Sequence, residues 1–186
     1  MSADFNTCIK MSGTKEEVLA MLAVAKKYAT EKQQQYREKR DCEYFISIYI
    51  KSAKATGFDL GESLVEMADE ALSKLLDDCN CAVCVNASGP YGVFGTLDEI
   101  FVFEEMAVAA PNAKFVAEID GFNPGGNQSA LFVLENKLLN IKSYSEEEDF
   151  DYEDGDEDEE DWDDEDELEW TYEGCYDPIS KKYIEK

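Results

Sequence analysis

The sequence predicts an α+β fold, with a mixed β-sheet, about three helices packed mainly on one face, an appended acidic segment and a C-terminal β-hairpin. Three observations predict it. Strand-like and helix-like apolar patterns alternate up to about residue 110, as expected for sheet and helix layers sharing one core. From Lys114 to Tyr144 strand patterns follow one another through turn residues, which predicts an antiparallel meander. Twenty of the 28 residues from Glu146 to Glu173 are Asp or Glu and none is Lys or Arg, so this stretch supplies most of the formal charge of −26. The expected organisation is an α+β domain at 1–145, an acidic segment at 146–167, and a strand or hairpin at 168–186 returning to the body.

Alternation of Phe5, Thr7, Ile9 and Met11 predicts a first strand, ended by Ser12-Gly13. Thr14 and Glu17 have the spacing of a capping box, opening a helix to about Arg40 on Val18, Leu19, Leu22, Ala25, Ala29 and Tyr36. Its later half carries Lys26, Lys27, Lys32, Arg37, Lys39 and Arg40, which suit the negative end of the helix dipole. Tyr44 to Ile50 is apolar on both faces, so a strand central in the sheet is expected there. Leu60 to Asp78 repeats apolar residues at Leu64, Val65, Ala68, Leu72, Leu75 and Leu76, predicting a second helix capped near Asp59 and Glu62.

Cys81 to Val85 reads as a short buried strand, followed by a glycine loop from Ser88 to Gly95. Another capping box at Thr96 and Glu99 opens a third helix ending near Ala110. The meander then runs through Phe115–Ile119, Ala130–Glu135 and Leu138–Tyr144, with turns at Asn123–Asn127 and Asn136-Lys137. Leu168, Trp170 and Tyr172 alternate with polar residues, and Tyr176–Ile179 turns the chain into Lys181–Ile184. That hairpin would tether the acidic segment at both ends.

Outside the acidic stretch the chain is only mildly acidic, with 21 acids and 14 bases in residues 1–145. So negative a chain is repelled by nucleic acid and anionic membranes, and is drawn toward cationic partners. Val18 to Ala25 is the longest apolar run, too short to span a bilayer, and no N-terminal secretory pattern is visible. A soluble cytoplasmic protein is expected, with its six cysteines kept as thiols in a reducing compartment.

Catalytic signals are poor. There is no histidine, and no nucleophile elbow or lysine-bearing phosphate loop, so no enzyme and no cofactor are expected. The loop from Gly89 to Gly95 lacks the spacing of a phosphate or dinucleotide loop and reads as a structural turn. Cys79, Cys81 and Cys84 offer three thiols within six residues. A zinc site would need a fourth ligand from Cys8, Cys42, Cys175 or a carboxylate, and strand alternation points Cys81 and Cys84 to opposite faces. Buried thiols acting as small apolar residues are the simpler expectation. A calcium-hand alignment on Gly155 puts Phe150 and Tyr152 where ligand oxygens are required, so it fails.

The acidic run therefore carries the functional expectation. Most runs of like charge are solvating segments. This one is punctuated by Phe150, Tyr152, Trp162, Leu168, Trp170 and Tyr172. Extended at about 3.3 Å per residue, its charges fall roughly every 4.6 Å, near the ~3.4 Å phosphate spacing of one nucleic-acid strand. The candidate contacts begin with Glu146, Glu147, Glu148, Asp149, Phe150, Asp151, Tyr152, Glu153 and Asp154. They continue through Asp156, Glu157, Asp158, Glu159, Glu160, Asp161 and Trp162 to Asp163, Asp164, Glu165, Asp166, Glu167 and Trp170. Carboxylates would pair with Arg and Lys, and the aromatic rings would add stacking or cation–π contacts.

A small α+β body with an acid-aromatic segment resembles the nucleic-acid-mimic inhibitors of phages and mobile elements, including some anti-CRISPR and anti-restriction proteins. The resemblance rests on the composition of residues 146–173. It implies a non-catalytic inhibitor or decoy that occupies the cationic channel of a basic nucleic-acid-binding protein, such as a CRISPR nuclease or a restriction enzyme. The alternative expectation is an acidic, chaperone-like interaction protein whose α+β body carries the binding surface.

Overall fold

A computed structural model describes residues 4–39, 47–55, 61–90, 100–123, 126–145 and 172–184. In chain order the elements are β1 (Asp4–Ser12), α1 (Lys15–Lys39), β2 (Ser47–Ser52), β3 (Glu62–Ser63), α2 (Asp69–Asp78) and β4 (Ala82–Pro90). Then come α3 (Ile100–Ala109), β5 (Lys114–Asn123), β6 (Gly126–Glu135), β7 (Leu138–Ser145), β8 (Tyr172–Asp177) and β9 (Lys182–Tyr183). The described strands form one nine-stranded sheet in the order β3-β2-β4-β1-β5-β6-β7-β8-β9.

Every neighbouring pair in that sheet is antiparallel, which corrects the expected mixed sheet. The physical reason lies in the crossovers. β1 and β2 run parallel across α1, but β4 lies between them, antiparallel to both. β4 and β5 likewise run parallel across α3, with β1 between them. Two split β-α-β units thus interleave, so each parallel pair is separated by a strand of opposite direction. The meander β5-β6-β7 extends this sheet, and β8-β9 close it as the C-terminal hairpin.

Period-2 alternation builds the core. One row of paired positions crosses the sheet from Ile50 through Val85, Ile9, Ala117 and Phe132 to Ile141, all buried. The next row on that face runs Val83, Met11, Phe115, Leu134, Leu139 and Tyr176. From α1, Val18, Met21, Leu22, Ala25 and Ala29 join the same cluster at helical spacing. α3 adds Phe103, which stacks on Phe132 at 4.2 Å between ring centroids. α1 and α3 also touch directly, with Tyr28 meeting Phe101 edge-on at 5.7 Å.

The first helix begins as its sequence dictates. The Thr14 N–H donates to Glu17 Oε2 at 2.8 Å and the Glu17 N–H donates to Thr14 Oγ1 at 3.3 Å, a reciprocal capping box. The turn between β6 and β7 also follows locally. Asn136 and Lys137 have φ of 53° and 66°, the two left-handed residues of a type I′ hairpin.

Elsewhere long-range pairing overrides the local pattern. β2 is next to the sheet edge rather than central, because only the two-residue β3 lies outside it; Tyr44, Phe45 and Ile46 lie outside the described residues. The second helix starts at Asp69 instead of Leu60, and its N-cap Ala68 makes no side-chain cap. Glu62 and Ser63 pair with Ile50 and Tyr49, and the Leu64 N–H continues to the Ile48 carbonyl at 2.9 Å. Leu64 and Met67 are buried from a turn, so their apolar spacing mimics a helix without forming one. Gly61 makes that edge possible: its φ is +84°, and a β-carbon there would lie 2.4 Å from the Ile50 carbonyl oxygen.

β4 runs to Pro90, where a loop was expected from Ser88, because Ser88, Gly89 and Pro90 pair with Asn6, Phe5 and Asp4. The expected cap at Thr96 and Glu99 lies outside the described residues, whereas α3 ends just before Ala110.

Candidate functional site

The candidate contacts Glu146 to Glu167 and Trp170 all lie outside the described residues. What the structure describes is how the body holds the two ends of that stretch. β7 leads into it at Ser145, β8 leads out of it at Tyr172, and the two strands are adjacent and antiparallel, with Ser143 opposite Tyr172. The 26 residues from Glu146 to Thr171, of which 19 are acids, therefore connect two neighbouring strands. A closed connection of that length reaches at most roughly 40 Å from the sheet, half its contour at about 3.3 Å per residue.

The exit strand is well anchored. Lys142 Nζ and Glu173 Oε1 lie 2.9 Å apart across β7 and β8. Tyr176 is buried in the core row and meets the Tyr183 ring edge-on at 5.4 Å. The Tyr183 hydroxyl donates to Glu104 Oε1 on α3, so the hairpin is fastened to a helix as well as to the sheet. Partial desolvation of the hydroxyl where it meets α3, and then that bond, push the Tyr183 phenol up, although the side chain as a whole stays half exposed.

Asp177 organises the turn into β9. Its Oδ1 accepts from the Ile179 N–H at 2.9 Å and its Oδ2 from the Ser180 hydroxyl at 2.7 Å. The Ser180 hydroxyl, then the Ile179 N–H, hold its carboxyl below the usual carboxylate range. Because the folded-state value is depressed, this stabilisation is fully present above the unfolded value and is lost as pH falls through the folded one. The urea-midpoint difference between the native chain and Asp177→Ala is thus expected to be largest above the ordinary carboxylate value and to shrink as pH falls below it. A difference constant through that fall in pH would remove Asp177 from this role.

The basic half of α1 is partly committed to the body. Lys26 Nζ donates to the Met67 carbonyl at 2.8 Å and lies 3.8 Å from Asp69, and Lys32 sits over the Tyr28 ring at 5.5 Å. The Arg37, Lys39 and Arg40 side chains lie outside the described residues. At the other end of the helix Lys15 grips both oxygens of Asp77, at 2.7 and 2.8 Å.

The cysteine triplet does not assemble. Cys79 is buried at the end of α2, with its thiol facing the Leu76 carbonyl at 3.8 Å. Cys81 sits in the following turn with φ of 57°, and Cys84 points from β4 to the face opposite the core row. Among the described residues, no group of three or more Cys, Asp or Glu is placed to hold a metal. Instead, Cys84 Sγ lies 3.4 Å from Cys8 Sγ on β1, a partner 76 residues away. Sequence reasoning missed this pair; its only local signal was that Cys8 occupies an outward position of the first strand.

Among the described residues, no helix is long and apolar enough to cross a membrane. Comparison with protein-family models, curated proteins and solved structures gives no match for this chain.

Proposed function

We propose that the chain is a non-catalytic inhibitor or decoy that binds a basic nucleic-acid-binding protein, such as a CRISPR nuclease, through residues 146–167. One observation carries the proposal: an uninterrupted polyanionic, aromatic-studded stretch is held at both ends by adjacent strands of a folded body. Tethering both ends lowers the conformational entropy lost when such a segment is ordered in a groove, relative to a free tail. Carboxylates then take the places of phosphates along a Lys/Arg-rich channel, and Phe150, Tyr152, Trp162 and Trp170 contribute ring contacts. In this reading the protein works in the cytoplasm, where such nucleases act. In this reading all three helices pack mainly on the sheet face bearing Ile9, Val85 and Ala117: Leu22 of α1, Leu76 of α2 and Phe103 of α3 share one buried cluster with those residues, and the usual right-handed crossover, applied to two units of opposite direction, would put α1 and α3 on the same side.

Pull-down of the basic partner with the full chain, and with a chain in which residues 146–167 are replaced by a short Gly/Ser linker, tests the proposal. Capture is expected with the first and not with the second. Equal capture by both would transfer the binding surface to the body. That second reading has its own support in the exposed side chains of Tyr172, Ile179, Tyr183 and Ile184 on the C-terminal hairpin.

A further inference from the structure

We infer that Cys8 and Cys84 form a redox-modification site, a cross-strand dithiol that a hydroperoxide oxidises reversibly to a disulfide. The inference is separate from the polyanion reading, since neither thiol belongs to the acidic segment.

The geometry supports it at three points. The two sulfurs are within 3.4 Å, on neighbouring strands, and both are free thiols. Their environments differ: Cys8 is half-buried, whereas Cys84 is buried. The neighbouring charges are mainly cationic, because Cys84 is paired with Lys10 on one side and Lys51 on the other, while Glu118 stands opposite Cys8. A thiolate is the nucleophile in sulfur chemistry, and hydrogen bonding with nearby cations favours it. The Cys84 thiol beside Cys8, aided by Lys10 and Lys51 and opposed by burial and Glu118, pulls the Cys8 thiol down to about 7. The same contact and burial push Cys84 up.

These differences assign the roles. The Cys8 thiolate attacks a hydroperoxide oxygen; an S–O bond forms, the O–O bond breaks, and the other oxygen leaves as water or an alcohol after taking a proton. Cys84 sulfur then attacks the Cys8 sulfenic sulfur. The S–S bond forms and the S–O bond breaks, and hydroxide leaves as water with the Cys84 proton. Two thiols have lost two electrons and the hydroperoxide has gained them.

Register makes the product labile. Cys8 faces Asn86, so Cys84 is its diagonal neighbour two residues along β4. Diagonal Cα positions in an antiparallel pair are about 7 Å apart or more, at or beyond the limit for a relaxed disulfide. Such a bond closes only with some movement of β1 against β4 and is readily reopened by a dithiol reductant.

The test uses the full chain, reduced and then treated with stoichiometric hydrogen peroxide. Peptide mass mapping of all six cysteines is expected to find a Cys8–Cys84 cross-link that dithiothreitol removes. In Cys84→Ser, a dimedone adduct is expected to accumulate on Cys8 instead. In the untreated native chain, iodoacetamide at neutral pH is expected to label Cys8 at least tenfold faster than Cys81. Circular dichroism of Cys8→Ser and Cys84→Ser separates loss of chemistry from loss of fold. A peroxide-induced link between any other pair, no link at all, or labelling of Cys8 no faster than Cys81 would overturn the inference. Partner capture by the acidic segment is unchanged in Cys8→Ser if the two properties are independent.

Discussion

Affinity for the basic partner is expected to fall by roughly 10³-fold between about 50 and 200 mM salt, the lower end of the range for a ligand making six to ten phosphate-type contacts. The physical cause is that a segment with 19 acids among 26 residues, and no base, must carry its own counterions when free. Docking into a Lys/Arg channel releases counterions from both surfaces, and added salt reduces that gain. Replacing Glu157, Asp158, Glu159, Glu160 and Asp161 by their amides keeps length and shape, and is expected to flatten the salt slope while leaving the fold intact. Titration of the partner at several salt concentrations measures both. A dissociation constant that stays level across that range would exclude polyanion mimicry, and would point to the apolar side chains of the C-terminal hairpin.

Phe132→Ala is expected to lower the unfolding free energy by about 3–5 kcal/mol and the melting temperature by roughly 10 °C. Phe132 is fully buried in the middle of the sheet and stacks on Phe103, which in turn lies 6.2 Å from Phe115. Its removal leaves a cavity beneath α3 that neither a paired strand nor a stacked ring can collapse to fill. Because β6 lies between β5 and β7, the same cavity loosens the platform from which the acidic connection departs. Denaturant unfolding checks the magnitude. A loss below about 1 kcal/mol would mean that α3 does not seal this part of the core.

The elements legible in the sequence are those stabilised by neighbours in the chain. Thr14 and Glu17 satisfy each other across one helical turn. Asn136 and Lys137 close a two-residue hairpin, and the alternation of Phe115, Ala117 and Ile119 buries one face of β5. Each depends on contacts a few residues apart, so propensity and periodicity suffice. Strand order is different. Nothing local to Tyr49 or Ile50 announces that β4 will insert between β2 and β1, or that Glu62 and Ser63 will become an edge strand. Leu64, Val65 and Ala68 read as helical for the same reason: over one or two turns of chain, a turn packed on the core and a buried helix share the same apolar spacing.

By itself the sequence determined the charge. It concentrates acids without bases in one stretch, an arithmetic property that no fold can alter. It also determined the start of α1, which carries its own cap in Thr14 and Glu17, and the β6-β7 turn at Asn136-Lys137. Only the tertiary structure decided where the charge is mounted and which thiols meet. The sequence expects a connection tethered at both ends, and pairing of β7 with β8 sets those two ends on adjacent antiparallel strands. Pairing of β1 with β4 brings Cys8 to Cys84 across 76 residues, while the sequence neighbours Cys79 and Cys81 stay apart from them. Backbone hydrogen bonds between distant strands set these placements, and their register is chosen by which side chains the common core can bury.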